Sequence, residues 1–96
     1  MHGLISAFEV SEGARAEVVA ALVEGSRGMP GNLSYVVAED VENAGVVWVT
    51  ELWESEEAHR ASLALPEVQE AIAKARPHLR GMRTRAVTRP VAGADP

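Results

Sequence analysis

The chain has 96 residues, 47% of them hydrophobic and 24% charged, and a formal net charge of −5. That is the composition of one small folded domain, and it excludes both a multidomain enzyme and a dinucleotide-binding fold, which needs several βαβ units. The absence of cysteine excludes disulfides, thiolate catalysis and Cys-based zinc or iron–sulfur sites. A domain of this size buries only roughly 60–70% of its unfolded surface, so one thin core is expected and a sizeable ligand site is expected to need a second chain.

The N-terminal residues Met1 to Ser6 lack a basic segment followed by a long apolar run. No stretch approaches the roughly 20 apolar residues of a membrane helix. The expectation is a soluble cytoplasmic protein that does not engage membranes. Residues 3–10 alternate, with Leu4, Ser6, Phe8 and Val10 on one side and Ile5, Ala7 and Glu9 on the other, which predicts a first strand. Ser11 can then cap a helix over 13–26, whose Ala14, Val18, Ala21 and Leu22 recur at helical spacing. Met29-Pro30-Gly31-Asn32 is a turn, residues 33–39 a second strand, and Asp40 to Gly45 a polar connection. Residues 46–53, rich in β-branched and aromatic side chains, are a third strand forming a hairpin with the second. Ser55 caps a helix reaching about residue 64, with Glu56 and Glu57 in its first turn. Pro66 opens a further helical segment to about Arg76. Pro77 and Gly81 stop it, and residues 82–89 form the last strand, with Thr84, Ala86 and Thr88 on one face and Arg83, Arg85 and Val87 on the other. One domain over 1–90 is expected, followed by a flexible tail at 91–96.

Charge is distributed unevenly. Residues 1–73 carry 13 acids and three bases, whereas residues 74–96 carry six bases and one acid. A basic C-terminal stripe can bind nucleic acid, but this one sits on an acidic body that repels phosphates. It reads better as the partner of that body, within the fold or across an interface, and no nucleic-acid partner is expected.

The order β-α-β-β-α-β predicts an α+β, ferredoxin-like fold: a four-stranded antiparallel sheet with the helices on one face. The other face then lies bare, and its apolar residues call for a partner. Two sheets packed face to face would make a homodimer whose second faces line a shared barrel.

Pro30-Gly31, Tyr35, Glu51-x-Trp53-x-Ser55-x-x-Ala58 and Pro66 together resemble the antibiotic biosynthesis monooxygenase domain of the dimeric α+β barrel superfamily. The resemblance runs from about residue 2 to residue 89. It implies an enzyme without metal or flavin, in which a bound phenol, quinol or polyketide-like aromatic is deprotonated and its anion reduces dioxygen. Such chemistry requires an apolar slot for a flat ring, a few polar groups and dryness. Many quinol-oxidising members carry a His nine positions after the Trp, where this chain has Ser62, and a second His where it has Glu67. The key groups of the haem-degrading branch are replaced by Ser6, Ser62 and Ile72, and Ile72 cannot ligate iron. A non-catalytic dimeric binding or pathway-accessory domain, and a cyclase or isomerase on the same barrel, remain open.

His59 is the acid/base candidate, because imidazole titrates near neutral pH; a solvated surface His is the alternative. Ser62, three residues on, shares its helix face. Trp53 is a candidate catalytic residue as a pocket wall or an indole N–H donor to substrate, or else a packing anchor. Trp48 lies on the opposite face of the same strand, so one tryptophan faces the helices and the other the barrel interior. Tyr35 and Ser6 are candidate substrate hydrogen-bonding groups, with packing roles as the alternative. Arg83 and Arg85 could bind an anionic substrate or pair with Glu39 or Glu51. The histidines at 2, 59 and 78 have no metal-ligand spacing, so no metal site is expected.

Overall fold

The computed structural model describes residues 1–93; the last three residues of the expected tail lie outside the described residues. The elements follow the order β1 (His2–Val10), α1 (Arg15–Gly25), β2 (Asn32–Glu39), β3 (Val46–Trp53), α2 (Glu56–Ser62), α3 (Pro66–Ala75) and β4 (Leu79–Thr88). A single 3-10 turn at Arg76–His78 joins α3 to β4. The strands form one sheet in the order β2-β3-β1-β4, with every neighbouring pair antiparallel. This is the α+β, ferredoxin-like arrangement expected from the alternation of strand and helix patterns.

Period-two alternation decides what the sheet presents. Residues directly opposite across an antiparallel pair share a face. The register joins Tyr35 to Glu51 and Val37 to Val49, then Val49 to Ser6 and Glu51 to Leu4. The helices cover this face. Val10, Val47 and Val49 of the sheet pack with Val18 of α1 and Ala75 of α3. Leu4 and Trp53 pack with Met29, and Ala58, Leu65 and Val68 close over them. The opposite face carries Ile5, Ala7, Val36, Trp48 and Leu52. Among the described residues no helix packs on it; Ile5, Trp48 and Leu52 are partly exposed and Val36 is 51% exposed.

Local chemistry fixes how the helices meet the sheet. Ser55 caps α2, its hydroxyl accepting from the Ala58 N–H at 3.1 Å, and Glu56 and Glu57 occupy the first turn. Pro66 stands in the first turn of α3, where its missing N–H costs nothing. Gly31 has φ +79°, and its carbonyl accepts from the Glu54 N–H at 2.9 Å. A Cβ at Gly31 would lie 2.6 Å from the Ala58 Cβ. The Pro30-Gly31 turn therefore lies directly against α2 and fixes its distance from the sheet.

Several expectations need correction. Ser11 does not cap α1: the N-cap is Ala14, without a side-chain bond. Ser11 instead ties the end of β1 to the start of β4, its N–H donating to the His78 carbonyl at 2.8 Å. That tie explains why β4 begins at Leu79 rather than at residue 82. Strand β4 is also irregular against β1. The register jumps from Thr84 opposite Ala7 to Met82 opposite Phe8, which leaves Arg83 unpaired in a bulge.

The two tryptophans separate as alternation requires. Trp53 faces the helices and is 1% exposed, while Trp48 lies on the open face. The Trp48 indole N–H donates to the Asp40 carboxylate at 2.8 Å. This bond, two backbone N–H donors from Glu42 and Asn43, and the Arg83 guanidinium hold the Asp40 carboxyl below the usual range. Trp48 and Arg83 thus belong to a surface network on the far side of the sheet.

Candidate functional site

A chamber of about 180 Å³ lies between the helices and the sheet. Its walls are mostly apolar, with Phe8, Val49, Leu22 and Val68 among them, and five polar residues line it: Ser26, Tyr35, Glu51, His59 and Ser62. Trp53 completes one side. The chamber is formed by a single chain on its helix-covered face. This hollow differs in place from the shared barrel between bare sheet faces that the sequence predicts. The cause is visible in the register: the third strand directs Val49, Glu51 and Trp53 towards the helices, and α2 and α3 stand off from them.

Glu51 is the centre of the polar cluster. Its side chain is 14% exposed. One carboxylate oxygen, Oε1, accepts the Trp53 indole N–H at 3.0 Å, and the same oxygen lies 3.9 Å from His59 Nε2. Burial pushes the Glu51 carboxyl above the usual range. The Trp53 hydrogen bond and the positive charge of Arg85 and His2 oppose that shift without cancelling it.

His59 stands on α2 with its side chain 19% exposed. Its ring meets Trp53 edge to face, with centroids 5.3 Å apart and planes at 62°, and it lies 5.9 Å from the His2 ring. Burial, followed by the repulsion of His2, Arg85 and Arg60, lowers its pKa below the usual imidazole value. At neutral pH His59 is therefore uncharged and able to accept a proton. The 3.9 Å gap to Glu51 is too long for a hydrogen bond; a substrate hydroxyl at about 2.8 Å from His59 Nε2 would donate to it, and its oxygen would accept from the Glu51 carboxyl where that group is protonated.

Tyr35 lies opposite Glu51 across the β2–β3 ladder. Burial first, and the neighbouring Glu51 carboxylate second, raise its pKa, so its phenol stays protonated and can donate. Ser62 is buried, and its hydroxyl donates to the His59 carbonyl at 2.6 Å. That bond fixes the last turn of α2 and leaves the Ser62 oxygen able only to accept in the chamber.

Among the residues singled out from the sequence, Tyr35, Trp53, His59 and Ser62 come together around the chamber. Ser6 is buried on the same sheet face, beside Val49, but does not line it. Trp48 and Arg83 do not reach it, one because alternation turns it to the far face and the other because the bulge removes it from the ladder. The Trp53 N–H is taken by Glu51, which corrects its reading as a direct donor to substrate; its ring remains a wall. Glu51, expected only as a salt-bridge partner of an arginine, is the residue that sequence reasoning undervalued. Its signal was a lone acid on the apolar face shared with Val47, Val49 and Trp53. Among the described residues, no three His, Cys, Asp or Glu side chains are grouped to hold a metal ion.

The profile of the antibiotic biosynthesis monooxygenase family matches residues 1–74. The chain belongs to this family. A solved structure from Chloroflexus aurantiacus, itself only provisionally named an antibiotic biosynthesis monooxygenase, is 47% identical with a TM-score of 0.94 over 96% of this chain and 94% of that one. Provisionally named proteins from Deinococcus radiodurans (24% identity, TM-score 0.80, covering 99% of this chain and 97% of that one) and Nitrosomonas europaea (9% identity, TM-score 0.86, 96% and 100%) share the fold. No curated protein sequence matches the chain.

Proposed function

We propose that the protein is a cofactor-independent monooxygenase that oxidises a small phenolic, quinol or polyketide-like aromatic with dioxygen. The observation that carries this reading is the placement of His59 Nε2 and the Glu51 carboxylate 3.9 Å apart at the polar end of an apolar chamber. A ring enters the chamber against Trp53 and Phe8, and its hydroxyl lies between His59 and Glu51. Neutral His59 takes the phenolic proton at Nε2, and the Glu51 carboxyl, whose burial favours its neutral form, faces the oxygen as an acid rather than as a second anion. Tyr35 donates to the oxygen that gains charge. The electron-rich phenolate then reduces dioxygen. For a phenol the balance is one dioxygen consumed, with one oxygen atom entering a ring carbon to give a quinone. The other leaves as water with the phenolic hydrogen and the displaced ring hydrogen. A dry chamber protects the reactive intermediates.

A second copy of the chain covers the open sheet face in this reading, through Ile5, Val36, Trp48 and Leu52. Exposed apolar surface of this kind and the bare edge of β4 support that assembly.

The test is oxygen uptake with a panel of hydroquinones and anthrones, without flavin and with a chelator present. Uptake above the uncatalysed rate, lost in His59→Gln, is the expected result. No uptake across the panel overturns the reading for those substrates. Binding without turnover would favour a small-molecule-binding domain instead, a reading consistent with Ser62 and Glu67 standing where many members carry His.

A further inference from the structure

His59 forms a partition with two sides. Its inner side faces the chamber. Its outer side borders a second hollow of about 240 Å³, together with His2, Glu56, Arg60, Arg85 and Val87. Leu63 and His59 line both hollows, so the two lie side by side with the His59 ring between them. The register places Arg85 opposite Ser6 and Val87 opposite Leu4, which sets both on the sheet face that carries the chamber.

The charges of this outer notch do not balance. Three of its side chains besides His59 are basic and one is acidic. The acid, Glu56, is engaged by Arg60 at 2.6 Å. Arg85 has no ion-pair partner among the described residues. The nearest carboxylate on the inner side, Glu51, is already bonded to Trp53. An unmatched guanidinium beside two imidazoles, on a chain with a net charge of −5, is a local feature that runs against the overall charge.

We propose that this notch is an anion subsite that receives a carboxylate borne on the ring of the aromatic substrate, with Arg85 as its main partner. The planar guanidinium suits a carboxylate, which it can hold through two parallel N–H donors. His2 adds a further donor at the rim. The substrate is then an aromatic hydroxy acid: its ring lies in the chamber, its hydroxyl between His59 and Glu51, and its carboxylate in the notch. The subsite rests on the chamber reading of the proposed function.

The test compares 2-hydroxybenzoate with its neutral counterpart 2-hydroxybenzamide by titration calorimetry at neutral pH, on the wild-type chain, Arg85→Gln and Arg85→Lys. The acid is expected to bind about tenfold more tightly than the amide. Arg85→Gln is expected to bring the acid to parity while leaving the amide unchanged, which shows that the chamber is intact, and Arg85→Lys to keep part of the preference. Equal binding of the two probes to the wild type, or a preference that survives Arg85→Gln, overturns the subsite and leaves the chamber standing. Failure of both probes to bind overturns the subsite and the chamber together. Binding as expected with no oxygen uptake removes the oxidative chemistry alone.

Discussion

Replacing Trp53 by Phe separates the packing role of the indole from its electrostatic role. The ring is 1% exposed, so the smaller Phe loses roughly 1–2 kcal/mol of packing whatever the pH. The indole N–H also bonds Glu51 at 3.0 Å, and it favours the ionised carboxylate over the neutral acid. A hydrogen bond to a charged group contributes about 1.5–3 kcal/mol; with the Glu51 side chain 14% exposed, the lower end is appropriate. Burial already raises the Glu51 pKa in the folded chain. A raised carboxyl pKa means that the folded state binds more protons than the unfolded one, so stability falls as pH rises through the interval between the two values. Loss of the indole donor raises the folded value further and steepens that fall. Urea denaturation near pH 8 is therefore expected to show a loss of about 3 kcal/mol for Trp53→Phe, against about half of that near pH 4, where Glu51 is mostly protonated in both states. A carbon-13 titration of Glu51 is expected to move upward by about one pH unit. An equal loss at both pH values would refute the reasoning, because the hydrogen bond would then contribute nothing beyond packing.

His59, whose folded pKa lies below its unfolded value, favours the neutral form; stability is expected to fall as pH drops from about 6.5 through the lower folded value, and His59→Gln to remove that part of the slope in a thermal melt series. The same shift places the rise of kcat/KM for oxygen uptake with pH at a midpoint below 6.5; a midpoint above that value would exclude His59 as the base. Gly31→Ala forces a Cβ into a left-handed position and against Ala58, and a loss of about 2–4 kcal/mol is expected in urea; a change below about 0.5 kcal/mol would show that the turn is not clamped to α2. Leu52→Glu on the open sheet face is expected to convert a dimer to a monomer in sedimentation equilibrium, and a wild-type chain that already sediments as a monomer would contradict the assembly.

The fold was largely legible because its signals are periodic. Alternation over β1 and β3 and the Ser55 cap each state one local rule that tertiary structure did not override. The tryptophans show how far such reasoning reaches: alternation put Trp48 and Trp53 on opposite faces but could not say which face the helices would cover. That depends on where α2 docks, which the Gly31–Ala58 contact settles in three dimensions. Strand β4 was less legible, because its bulges arise from pairing with β1 and leave no composition signal at Arg83. Ser11 illustrates a local rule losing to a distant partner, the His78 carbonyl. The hollow under the helices was not legible, because surface-to-volume arithmetic treats a small domain as filled. Glu51 was visible as a lone acid on an apolar face, but its bond to Trp53, two residues away on the same face, is a contact that only the folded strand end makes.

The most direct measurement of the central claim is an oxygen-electrode trace with a hydroquinone that binds the chamber, chelator present, and catalase added at the end. The expected result is uptake above the uncatalysed rate in the wild type, little in His59→Gln, and no oxygen returned by catalase, because the second oxygen atom leaves as water. Uptake that is independent of His59, or a return of about half of the consumed oxygen as the stoichiometry of peroxide release requires, would contradict the account.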